Sequence, residues 1–151
     1  MPKFESTRPV KHTATDMFAL VADIERYPEF VPLCEALLVR DRRERDGKAV
    51  VVADMTVGYK SIRETFTSQV HLDPSVNRIQ ATYLDGPFKH LDNRWHFTDL
   101  PKGGCDVHFY IEYEFKNRML GALMGTMFDR AFRKFSSAFE ARADALYRGD
   151  A

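Results

Sequence analysis

The chain has 151 residues, 44% hydrophobic and 29% charged, with 22 Lys and Arg balanced by 22 Asp and Glu. That is the make-up of one globular domain large enough to bury a core without disulfide or metal staples. Zero net charge without a basic stripe excludes the usual electrostatic footprint of a nucleic-acid binder, so no direct DNA binding is expected.

Residues 1–10 carry no apolar signal core, and no run reaches the ~18 apolar residues of a membrane span. The expectation is a soluble, cytoplasmic protein, with peripheral association at the inner membrane as an alternative. Residues 4–11 alternate loosely and read as a strand. Thr13 or Thr15 then N-caps a short helix, Asp16 lies near its positive end, and Met17, Leu20, Val21 and Ile24 fall on one face. In Tyr-Pro-Glu-Phe-Val-Pro at 27–32, Pro28 suits the first turn of a second short helix and Pro32 its end.

From Cys34 onward the period changes to two. Residues 36–45 and 48–57 flank Asp46-Gly47, a strong hairpin signal. Arg40, Arg42, Arg43 and Arg45 are broken up by Asp41 and Glu44 and read as a solvated strand end. Further strands are expected over 59–72, 78–84, 88–98 and 106–115, separated by Gly- and Pro-bearing turns. The last pair has a predictable register. Trp95 and Phe97 must share the apolar side with Val107, Phe109, Ile111, Tyr113 and Phe115, which sets Trp95 near Phe109 and His96 opposite His108 on the outer face. Two histidines without a third ligand read as partly exposed imidazoles rather than a metal site. Cys34 and Cys105 lack metal-ligand spacing and are expected as buried or free thiols.

Residues 119–147 form one long helical pattern, with Phe128, Phe132, Phe135 and Phe139 on a continuous face. The order β-α-α-β6-α predicts an α+β fold in which this helix covers one side of an antiparallel sheet. Its first half, 119–128, is almost uncharged all round and holds Gly121, Gly125 and three methionines. One reading buries this half over a curved sheet, with glycine needed for close packing. The other makes it a mobile lid over an apolar pocket, touching a membrane when open. Polar residues on apolar strand faces point the same way. Glu64 shares a face with Ile62, Phe66 and Val70, and Asn93 shares one with Leu91, Trp95 and Phe97. A carboxylate facing a core is costly unless paired or hydrated, so Glu64 reaches cavity water, an arginine or the sheet edge. From these faces the pocket candidates are Trp95, Phe109, Tyr113, Leu120, Met124 and Phe128. Because His90, His96 and His108 fall outward, no acid–base pair and no catalytic residue is expected.

The element order resembles the helix-grip fold of START, Bet v 1-like and polyketide-cyclase-like domains. Within it, Tyr-Pro-Glu-Phe-Val-Pro-Leu-Cys at 27–34 and Gly-Tyr-Lys-Ser-Ile-Arg-Glu-Thr-Phe at 58–66 resemble the two signatures of the coenzyme Q-binding START-domain proteins. The stretch at 88–97 is similar too, and the likeness spans about residues 4–147. A ribosome-association toxin branch shares the first motif. The resemblance implies a single domain over 1–151 that binds ubiquinone or a related polyprenyl quinone as a lipophilic ligand. It implies support of respiration and quinone biosynthesis, with no turnover and no cofactor. It carries over Tyr27, Pro28, Phe30, Val31 and Cys34, and Lys60, Ile62, Arg63, Glu64 and Phe66, as signature positions. The tail would lie in the cavity, with the head group near Tyr59, Arg63 or Glu64. A ribosome-binding regulator is the alternative, and a cyclase or dehydratase a weaker one.

Overall fold

The structure, a computed structural model, describes residues 3–59 and 61–147. Strand β1 (Lys3–Val10) leads into α1 (Ala14–Ala22). Thr13 is the cap: its Oγ1 accepts the Asp16 N–H at 3.1 Å, satisfying one of the free donors of the first turn. Helix α1 buries Met17, Leu20 and Val21, the face set by their spacing.

A 3₁₀ helix, Ile24–Glu29, follows directly. Pro28 is in its last turn rather than its first, because buried Ile24 draws the turn to start earlier. Pro28 has no N–H to offer there, and the Tyr27 carbonyl instead accepts the N–H groups of Phe30 at 3.1 Å and Val31 at 2.8 Å.

Six strands come next: β2 (Cys34–Arg45), β3 (Lys48–Tyr59), β4 (Ile62–Asp73), β5 (Arg78–Asp85), β6 (Phe88–Asp99) and β7 (Cys105–Phe115). Asp46 and Gly47 take φ of 54° and 80°, the left-handed pair demanded by a two-residue hairpin between β2 and β3. Tyr59 closes β3 rather than opening β4, and it pairs with Ile62 across the turn. Lys60 lies outside the described residues. The sheet runs β1-β7-β6-β5-β4-β3-β2, antiparallel throughout. Trp95 stands opposite Phe109, and His96 opposite His108. Register shifts within β2, between β4 and β5 at Thr67/Ser68, and between β6 and β7 bend the sheet toward its apolar side.

Helix α2 (Arg118–Leu146) lies in that curve. Asn117 caps it, its Oδ1 accepting the N–H groups of Met119 at 2.7 Å and Leu120 at 3.3 Å. The helix packs chiefly on β7, β1 and α1. Its C-terminal part is pinned by ion pairs from Glu140 to Arg8 (2.6 Å) and from Arg142 to Glu29, and by a hydrogen bond between His12 and Asp144 (2.6 Å).

Candidate functional site

Side-chain size explains where the core fails to close. Ala53 on β3, Ser68 on β4 and Ala81 on β5 face the helix, and Ala131 faces back from α2. None of these short side chains spans the gap, and a cavity of about 100 Å³ remains. Phe66, Val70, Leu91, Trp95 and Ile111 complete its floor. Its roof is Phe128, Phe132, Phe135 and Phe139, the aromatic face of α2. Pro32, Leu33, Leu37 and Met55 close the side toward β2 and β3, and all four are half-buried. Leu33 holds a φ of 68°, uncommon for a non-glycine residue. This kink redirects the chain from the 3₁₀ helix into β2.

The roof therefore sits further along the helix than absence of charge suggested. Residues 119–127 extend past the cavity. Met119 is 70% exposed and Leu123 56%, while Met124 packs into the core. The charged half carries Asp129, Arg133 and Glu140 on its outside and presents the phenylalanines inward.

Of the ten candidate ligand residues, Phe66, Trp95 and Phe128 line the cavity. Phe109 and Tyr113 are buried beside it, with rings 5.9 Å from Phe135 and 5.2 Å from Phe132 respectively. Leu120 and Met124 pack nearer the start of α2. Tyr59, Arg63 and Glu64 cluster at the β3–β4 turn, outside the lining.

Both signature stretches have an architectural account. Tyr27 and Phe30 brace the roof, with rings 5.3 and 5.0 Å from Phe139. The Tyr27 hydroxyl donates to the Val21 carbonyl at 2.5 Å. Burial, with the nearby Cys34 and Asp23, pushes this phenol far above its ordinary range, so it serves as a neutral donor. In the second stretch, a Cβ on Gly58 would stand 2.2 Å from Glu35 Oε2. A side chain there would displace that carboxylate, which accepts from Arg63 Nε at 2.6 Å. Gly58 N–H also donates to the Leu33 carbonyl at 3.0 Å. The two stretches thus tie to each other, and Arg63 is engaged in holding β4 to the start of β2.

The lining is almost wholly apolar. Among the described residues its polar members are Tyr27, Ser68 and Asn93, and none of the lining bears a carboxylate or imidazole. His90 and His108 face the outer side, bound to Glu112 at 2.7 Å and Glu5 at 2.6 Å. His12, buried beneath the end of α2, went unsuspected because its partner Asp144 is distant in sequence. Both cysteines are free and buried, and burial pushes Cys34 and Cys105 each up to about 11, which keeps them as unreactive thiols at neutral pH. Among the described residues no group of three His, Cys, Asp or Glu could hold a metal, and no helix is long and apolar enough to cross a membrane. Each arginine of the β2 run meets an acid: Arg40 with Asp54 (2.7 Å), Arg42 with Glu44 (3.3 Å), Arg43 with Asp41 (3.0 Å) and Arg45 with Asp46 (3.8 Å).

A long helix cradled by a seven-stranded sheet over an apolar cavity has close relatives. The ribosome association toxin RatA of Vibrio cholerae is 37% identical over 138 residues, covering 91% of this chain and 92% of that protein. The mitochondrial coenzyme Q-binding protein COQ10 homolog B of Xenopus laevis is 27% identical over 149 residues, covering 96% of this chain and 59% of that protein. The solution structure of the 18 kDa protein CC1736 from Caulobacter crescentus superposes with a TM-score of 0.79 at 34% identity, covering 97% of this chain and 99% of that one. The family described as polyketide cyclase / dehydrase and lipid transport matches residues 10–140, and the chain belongs to it.

Proposed function

We propose that the protein is a non-catalytic carrier that binds an isoprenoid quinone or a similar lipophilic molecule in the cavity between α2 and the sheet. The observation that carries this reading is the lining: apolar and aromatic nearly throughout, with two small polar groups and no acid–base pair. The coenzyme Q-binding relative supports the choice of ligand class. Phe66, Trp95 and Phe128 are the predicted wall contacts, and Tyr59, Arg63 and Glu64 stay on the rim. The supply of quinone to respiration and to quinone biosynthesis is the corresponding cellular role.

The test is occupancy. Native protein extracted with organic solvent should release a quinone or similar lipid, identified by mass spectrometry at about one per chain. A radiolabelled short-chain quinone should partition into the wild type and into Ala131→Phe, whose new ring fills the void, at least tenfold differently. Circular dichroism checks that Ala131→Phe is folded. Equal partitioning into the two proteins overturns the reading.

A second reading, association with the ribosome, is favoured by the names of the relatives at up to 37% identity. The paired arginines of β2 offer it no free basic strip. Co-sedimentation with large ribosomal subunits that is lost at moderate salt would support it.

A further inference from the structure

Three of the short side chains around the void are inert alanines. Ser68 is different. It is 7% exposed, its side chain lines the cavity, and among the described residues its hydroxyl has no hydrogen-bond partner. Unlike the fully buried, unpaired oxygens of Ser6 and Ser136, its oxygen keeps some accessible surface, which leaves room for a ligand atom to complete the bond. Its neighbours across the sheet are Ala53 on β3 and Tyr83 on β5, and the register shift between β4 and β5 falls at this position.

Asn93 is the second polar group on the same wall. Its Nδ2 donates to the Tyr110 carbonyl at 3.0 Å, and its Oδ1 accepts from Trp95 Nε1 at 3.2 Å. These two bonds fix which way the amide points. They leave one N–H and one lone pair unused, on a side chain that lines the cavity.

Val70, Ala81 and Asn93 form one row across β4, β5 and β6, and Ser68 is one pleat further along β4 on the same face. Two strand spacings and one pleat separate the Cα atoms of Ser68 and Asn93 by roughly 12 Å. After the side chains reach inward, a six-membered ring bearing an oxygen at each end can bridge what remains. Volume points the same way. A space of about 100 Å³ is on the scale of one ring and far below that of a polyprenyl tail.

We infer that Ser68 and Asn93 form a clamp for the two oxygens of a 1,4-dioxygenated ring, which enters head first while its apolar tail leaves past Leu33, Leu37 and Met55. This rests on the carrier reading and adds the orientation of the ligand. It places the head group at the centre of the sheet, away from the β3–β4 turn.

Trp95 lines the cavity and is the sole tryptophan of the chain, so its fluorescence reports on a quinone ring beside it. Hexyl-1,4-benzoquinone should quench it, and hexylbenzene, which has the same tail and no oxygens, should displace the quinone only weakly. In Ser68→Ala the quinone should bind about fivefold more weakly, the effect of one neutral hydrogen bond, while hexylbenzene binds as well or better. The urea midpoint of Ser68→Ala should not fall below that of the wild type. If Ser68→Ala shifts both ligands alike, or neither, the clamp is overturned while the carrier reading stands. If the wild type binds neither ligand, both are overturned.

Discussion

The two halves of α2 carry opposite kinds of information. Residues 119–127 bear no charge, yet Met119 and Leu123 are exposed and only Met124 is deeply buried. Residues 128–146 are rich in charge, yet they supply the cavity roof and the ion pairs and hydrogen bond that pin the helix to β1, the β1–α1 junction and the 3₁₀ helix. Lack of charge records only the absence of an electrostatic demand. Burial follows from a stripe of large side chains with partners opposite, and only the second half has one.

The sharpest way to break this contrast is to truncate one residue from each half. Phe139 is 1% exposed, with Tyr27, Phe30 and Trp95 rings around it at 5.3, 5.0 and 5.0 Å. Phe139→Ala should cost about 3–5 kcal/mol in urea unfolding. Leu123→Ala should change stability by less than about 0.5 kcal/mol. Comparable losses at both positions would mean that the first half is anchored as firmly as the second.

Glycine in the first half gives a gentler probe. A Cβ on Gly125 meets nothing within 4 Å, and one on Gly121 makes only ordinary contact with Phe115 at 3.7 Å. Close packing therefore requires neither glycine, and both leave the helix softer than alanine would. Gly125→Ala should raise stability by up to about 1 kcal/mol. If the first half swings as the cavity opens, the same change should slow quinone release in stopped-flow exchange. A stabilised variant with unaltered release would place the opening motion elsewhere, at the β2–β3 side.

Much of the fold was legible in the sequence because period-two patterns leave little freedom. A slip of one residue between β6 and β7 would turn Trp95 and Phe97 to solvent, so the pairing of Trp95 with Phe109 follows from the sequence alone. The site was less legible. The phenylalanines at 128, 132, 135 and 139 had the right spacing, but their charged outer face made this half look ordinary beside its uncharged neighbour. Ser68 stands two residues from both Phe66 and Val70, on the same inward face, and strict alternation would have found it. Glu64, on the same face, is the more conspicuous anomaly because it is a carboxylate. Arg63 looked free for a ligand because nothing local reveals Glu35, and His12 belonged to no pattern because its partner is on α2.

That distant pairing supplies the smallest of the expected effects and sharpens the contrast at its far end. The hydrogen bond from His12, with lesser help from Lys11, holds the Asp144 carboxyl below its usual range. Glu29 is likewise held low, chiefly by its hydrogen bond to Arg142. A carboxylate whose folded pKa is depressed binds protons less readily folded than unfolded. Its contribution is present above the ordinary carboxylate range and is lost as pH falls through the depressed value. Both groups are on the surface, so the loss should be modest and reduced by salt. Acid should therefore loosen the pinned half of α2 first. Amide exchange at residues 136–146 should accelerate on acidification relative to the intrinsic rate, while residues 119–127 change little. Asp144→Asn should show part of that acceleration already at neutral pH. If instead the first half responds more strongly to acid, the pins at Asp144 and Glu29 are not what separates the halves.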